Sequence, residues 1–276
     1  MTIHVIQANQ TFIVPGSDPN DGTGLNDGDS YIFTANPAPD SVADSELKFT
    51  GSDPRTIGSL TVDGGGGDPN DMVARVLTPA TQFGALTVQD GIQMNGSTLD
   101  LDTFGGIRVL GESLLDNNTT AVFENDHNDS FVLNGAMTLG SNGANSMDVS
   151  EMTFLDGTVH MTGASDTADV GISQGVGFDV ACGTLRLMDG SNVQSGFFNL
   201  GQGEIDVFKT AGVTQADFDT MTHVLSLKDS GGNVIDALTM VGNTDNLAVT
   251  TGSNFRGDFI AITNNASGST LPFTVV

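Results

Sequence analysis

The chain has 276 residues, of which 34 are acidic and 8 basic, giving a formal net charge of −26 at pH 7. A charge of this size repels nucleic acid and anionic membrane, so neither is expected as a partner. It also opposes compaction at low ionic strength, where counter-ions or divalent cations help.

With 36 Gly, no Trp and one Tyr (Tyr31), and with Thr, Val, Ile, Phe, Asn and Asp plentiful, the composition suits short strands joined by tight turns. In chain order the period-two runs begin with IHVIQ (3–7), TFIV (11–14), SYIFT (30–34), ELKFT (46–50), SLTV (59–62), ALTV (85–88), TLDLD (98–102) and GIRVL (106–110). They continue with TAVFE (120–124), SFVLN (130–134), MTFLD (152–156), TVHM (158–161), GFDVA (177–181), TLRLM (184–188) and EIDVF (204–208). Gly, Asn or Asp closes many of these runs at once or within two residues, which marks a strand followed by a turn. The best helical candidate is TQADFDTM (214–221), a turn at most.

Such short, closely spaced strands, with few Asn-Gly or Asp-Gly pairs between them, predict an all-β right-handed β-solenoid rather than the alternative, a β-sandwich. At about 20 residues per coil, residues 57 to 208 hold about seven coils. The expected division is 1–56, N-terminal strands and acidic loops with an assembly segment; 57–203, solenoid; and 204–276, a C-terminal β cap. HVLSLKDSGGNVIDALTMVG (223–242) reads as a hairpin turning at DSGGN. A solenoid needs such a cap because its final coil is otherwise an unpaired edge.

GEIDVF, TQADFDTMTHVLSLKDSGGNVIDALTMVG and LAVTTGSNFRGDFIAIT together resemble the C-terminal module of extracellular β-helix surface proteins of proteobacteria. In those proteins a short I-D strand precedes an F…G.L.L.D..G hairpin and a Gly-rich final strand pair. The family commonly has a Gly-Gly-Thr turn where this chain has Arg256-Gly257-Asp258. The resemblance implies a type I-secreted or autotransporter-like protein, extracellular or at the cell surface. Export without an N-terminal signal peptide suits MTIHVIQANQTFIVPG, which lacks a basic then apolar leader, and the tail LPFTVV is similar to the ends of type I substrates. No apolar run approaches the ~20 residues that span a bilayer.

GSDPNDGTGLNDGDS (16–30) and GDPNDM (67–72) are the densest Asp/Asn stretches considered as sites. Asp18, Asn20, Asp27 and Asp29 in the first, and Asp68, Asn70 and Asp71 in the second, are candidate calcium ligands, since hard oxygens in a Gly-bent loop suit that ion. Calcium is the one cofactor expected. The competing reading is that Asp-Pro and Asn-Asp-Gly simply make turns, and neither loop follows EF-hand order or a calcium-coil repeat. Residues 124–129 form a weaker acidic cluster.

Catalysis has less support. A glycosidase needs two carboxylates ~5 or ~6.5–9.5 Å apart; Asp100 and Asp102 share a strand face, but alternation turns both to solvent. Basic residues are scattered, sugar-stacking Trp and Tyr nearly absent, and no G-x-S-x-G, H-E-x-x-H or P-loop occurs. His4, His127, His160 and His223 are far apart. Cys182 is expected as a small buried residue, and Met147, Met152, Met161, Phe154, Phe178, Phe197 and Phe198 as core filler.

The expected function is therefore non-enzymatic: a secreted bacterial structural protein that self-assembles head to tail, one subunit's N-terminal strand adding to an edge of the next. The product would be a fibre, surface layer or biofilm matrix. The alternatives are a tail-spike-like adhesin that binds surface glycans, and a β-helix glycoside hydrolase or lyase.

Overall fold

The computed structural model of the protein describes residues 2–14, 28–34, 43–50, 54–65, 72–78, 85–103, 105–125, 131–175, 177–188, 191, 193, 196–208, 212–254 and 257–276. Among these residues the chain is all β, and its strands wind into stacked coils. The first coil holds β1 (Ile3–Gln7) and β2 (Thr11–Val14). Four coils of three strands follow: β3 (Ser30–Thr34), β4 (Ala43–Phe49) and β5 (Arg55–Ile57); β6 (Leu60–Asp63), β7 (Met72–Leu77) and β8 (Leu86–Val88); β9 (Ile92–Asn95), β10 (Thr98–Thr103) and β11 (Ile107–Val109); β12 (Ser113–Asp116), β13 (Thr120–Asn125) and β14 (Phe131–Leu133). Four coils of two strands complete the stack: β15 (Ala136–Leu139) and β16 (Ser146–Phe154); β17 (Thr158–Met161) and β18 (Thr167–Gln174); β19 (Gly177–Val180) and β20 (Thr184–Leu187); β21 (Phe197–Leu200) and β22 (Glu204–Phe208). The corner between the second and third strands vanishes at β16, whose Ser146–Val149 part pairs with β13 and whose Met152–Phe154 part pairs with β14.

Every pairing between these coils is parallel. One strand per coil builds sheet A, from β1 to β21, and another builds sheet B, from β2 to β22. Equivalent residues therefore stack in columns. Ile6, Phe33, Val62, Met94, Leu115, Leu139, Met161, Val180 and Leu200 form one inward column of sheet A, and all are buried. Alternation puts the residues between them outside, as period two requires. Sheet B has a narrower inward column through Ser45, Ala74, Leu99, Ala121, Met147 and Ala168, whose small members let the facing sheet approach. Each fully buried Leu, Ile, Val, Met or Phe contributes about 1.5–3 kcal/mol from apolar burial.

The cap is antiparallel and grows directly from the last coil. β28 (Leu271–Val275) pairs with β21, and β25 (Val234–Gly242), β24 (Val224–Lys228) and β23 (Gln215–Asp219) extend sheet A beyond it. β27 (Gly257–Asn264) pairs with β22, and β26 (Leu247–Asn254) ends sheet B. The core runs on without a break: the rings of Phe178, Phe198 and Phe273 stack at 6.2 and 5.4 Å. The expected hairpin turn is at 229–233, where the Asp229 carboxylate accepts from the backbone N–H groups of Gly231 and Asn233.

The structure differs from the sequence reading in four places. The parallel stack starts at Ile3 and ends at Phe208, so residues 57 and 203 mark no change of architecture: the ladders run on through both positions. Residues 215–219 of TQADFDTM are strand β23; half-buried Ala216 and Phe218 alternate with exposed Asp217 and Asp219, a period of two. Cys182 is half-buried rather than core, because it sits on the bend between β19 and β20, outside the inward columns. Phe197 faces outward on β21 and is 50% exposed, whereas Phe198 points in.

Glycines recur at the corner that leads into sheet A, at Gly58, Gly91, Gly111, Gly135, Gly157 and Gly177. A Cβ at Gly135 would collide with the carbonyl groups of Leu110 and Gly111 in the coil below, and one at Gly157 with the Leu133 carbonyl. Backbone there is too close to backbone for any side chain. Gly135→Val should lower stability by about 1–3 kcal/mol, the usual result of overpacking, whereas Thr138→Val, facing outward on the same coil, should change it by less than about 0.5 kcal/mol; urea unfolding of the two variants checks this.

Candidate functional site

Six of the seven candidate calcium ligands, Asp18, Asn20, Asp27, Asp68, Asn70 and Asp71, lie outside the described residues, as do residues 126–129 of the weaker cluster and Arg256. Asp29 is described and is already engaged. It is 6% exposed, accepts the Thr2 N–H at 2.6 Å, and lies 3.0 Å from Nε2 of His4. Burial pushes this carboxyl up, but the bonds to His4 and Thr2 outweigh it and hold the pKa below the ordinary value. Among the described residues no group of three or more His, Cys, Asp or Glu is placed to hold a metal ion.

What Asp and Asn do in the described turns is clear from their bonds. At the corner after sheet A, Asn117 Nδ2 donates to Asn95 Oδ1, and Asn95 Nδ2 donates to Asp63 Oδ1, linking three coils. One coil on, Asn142 donates both its backbone N–H and its Nδ2 to the Asp116 carboxylate, and fully buried Asn145 donates to Gly140 O and Asp166 while accepting from Thr119. Burial raises the Asp166 pKa against these bonds. Asn117 and Asn118 take left-handed backbone, φ 66° and 61°, which Asn tolerates better than most side chains. These residues tie one coil to the next.

The outward faces carry the remaining acids. Asp100 and Asp102 are outward as expected, between inward Leu99, Leu101 and Thr103, and Asp100 lies 3.7 Å from Nε of Arg75, whose Nη1 holds Asp44 at 2.7 Å. On sheet A, His160 Nδ1 is 3.3 Å from Asp179, which also accepts from Asn199 Nδ2. His223 Nδ1 lies 2.6 Å from Thr244 Oγ1 in the cap. Sequence spacing did not reveal the meetings of Arg75 and His160 with their carboxylates, because one coil separates the partners and coil length varies. A more buried column, Asp169, Arg186 and Asp206, crosses β18, β20 and β22. Asp206 is 3% exposed and its Oδ1 has no hydrogen bond. Burial first, then Glu204 beside it, pushes Asp206 up to about 7, and Arg186 only partly opposes this. So little exposure gives a substrate no access to it.

The two ends of the stack are unlike. At the C-terminal end the cap covers the last coil, and β23 packs against β26. At the N-terminal end β1 and β2 are the terminal strands of the two sheet paths, each paired on one side only among the described residues. The core there is closed by rings: His4 stacks on Tyr31 at 5.1 Å and lies 5.0 Å from Phe12, and Phe12 meets Tyr31 at 5.9 Å. Burial, with the Asp29 charge, pushes the Tyr31 phenol up to about 12. Outside, Ile3, Val5 and Ile13 are 59%, 54% and 59% exposed. Neither strand contains an acid, Lys, Arg or Pro, the residues that blunt sheet edges, and the first carboxylate in the chain is Asp18. This end is the candidate functional site.

The raised Asp206 pKa gives a pH prediction. Its folded-state pKa exceeds the unfolded 3.8, so the stability held by the neutral form is present below about pH 4 and lost as pH rises through about 7. Asp206→Asn should melt several degrees above the parent at pH 8, with the difference gone at pH 4, as followed by calorimetry. No protein-family model matches this chain, and a search of curated proteins finds no match either.

Proposed function

We propose that this protein is a structural subunit that associates with further copies of itself, head to tail, by pairing strand edges, and so builds an extracellular fibre, surface layer or biofilm matrix. The observation that supports this reading is the N-terminal end, where among the described residues two adjacent sheets finish in edge strands that have no partner on one side, contain no Asp, Glu, Lys or Arg, and expose Ile3, Val5 and Ile13. Unpaired backbone N–H and C=O groups in a row form a template for another strand. A head-to-tail contact does not close on itself, so it lengthens.

The net charge of −26 works against this contact at long range. At physiological salt such repulsion fades beyond about 8 Å, so salt or a divalent cation such as calcium favours assembly. The acidic loops around Asp18 and Asp68 are where calcium would act. The function needs no catalytic group.

Electron microscopy and light scattering of the concentrated protein, with and without calcium, test the proposal: elongated assemblies are expected, more abundant with calcium, and monodisperse monomers in both conditions would end it. Val5→Lys with Ile13→Lys places charges on both edges and should abolish the assemblies while leaving the melting temperature within a few degrees of the parent.

A further inference from the structure

We infer that β26 is the strand that receives β2 of the next copy, so that sheet B runs from subunit to subunit. This rests on the self-association reading above and names its acceptor.

Strand direction comes first. β28 reverses the sense of β21, and β25, β24 and β23 each reverse it again, so β23 runs the same way as the coil strands of sheet A. In sheet B, β27 reverses β22 and β26 reverses β27, so β26 runs the same way as β2. Both reversals come in even number. A second copy shifted along the stack axis thus meets a strand of its own sense and extends a parallel ladder.

β23 and β26 pack against each other, and each keeps one side without a strand partner among the described residues; charge separates the two as acceptors. β23 carries outward Asp217 and Asp219, and Asp217 is already bound by Lys228 Nζ at 2.9 Å. β26, LAVTTGSN, has no charged residue, and its eight residues more than cover the four of β2. In a strongly anionic molecule the neutral edges meet with least repulsion, and β2 and β26 are both neutral. β23 has the charges that discourage pairing.

Register completes the match. Thr11 of β2 heads a column on the face of sheet B opposite the core, covered at Asp169, Asp206 and Ala261, that passes through Glu46, Arg75, Asp100, Val122, Asp148, Asp169, Arg186, Asp206 and Ala261 to exposed Thr250 of β26. The column is continuous, so a shift along the axis sets Thr11 of one copy beside Thr250 of another.

Cross-linking tests this in the full chain with Cys182→Ser, which removes the native thiol. Thr11→Cys combined with Thr250→Cys, treated with a short bis-maleimide under assembly conditions, should give a ladder of covalent multimers, whereas each single variant alone stays monomeric on a denaturing gel and an equal mixture of the two gives dimers. Three results overturn the acceptor while sparing self-association: dimers from Thr11→Cys alone, which means head-to-head contact; a ladder only from Val5→Cys with Asp217→Cys, which means β23 receives; or assemblies by microscopy with no cross-link in the Thr11/Thr250 pair. A parent protein that stays monomeric overturns both readings.

Discussion

The parallel hydrogen-bond ladder between coils is the constraint from which the rest follows. It fixes which residue sits above which, so every coil must present a side chain compatible with those of its neighbours. Inward columns become continuous apolar rows, as in Ile6 through Leu200. Corners become columns too, and there the requirement is different. At one corner the backbones approach so closely that glycine recurs from coil to coil, and at another Asn and Asp side-chain oxygens accept from N–H groups of the turning backbone. These corner requirements account for part of the Gly, Asn and Asp in the composition.

The same ladder makes the ends special. Within the stack every strand but β5 is paired on both sides among the described residues, and its alternating faces are settled. At the last coil the cap supplies reversed strands whose apolar residues continue the columns, with Phe273 upon Phe198 and Ile262 opposite Ile205. At the first coil the His4, Phe12 and Tyr31 rings shield the core from above but leave the backbone edges as they are. Hydrophobic closure and hydrogen-bond closure are separate problems, and the described N-terminal residues solve only the first.

Much of this was legible in the residues. Runs such as TLDLD, TVHM and TLRLM alternate cleanly, and their scarcity of hairpin dipeptides pointed to coils rather than a sandwich. Other strands escaped notice because an inward place is held by a small or polar residue. β12 buries Ser113, whose hydroxyl accepts the Ile92 N–H, and β18 buries Ala168 between outward Thr167 and Asp169. The glycine column has no constant spacing, since Gly58 and Gly91 are separated by a longer coil than Gly91 and Gly111. For the candidate site, IHVIQ and TFIV were visible as strands, but their neutrality stands out only beside the charged edge at β23. The burial of Asp206 depends on neighbours one and two coils away, which no local window contains.

Contacts in the stack are almost wholly between adjacent coils, and neither end touches the middle. Length and end chemistry are therefore independent variables. Coils can be duplicated or deleted between β6 and β19 without altering either terminal surface, as in other one-dimensional architectures whose stability is a sum over neighbours. Such a chain can change its length while both of its terminal surfaces stay the same.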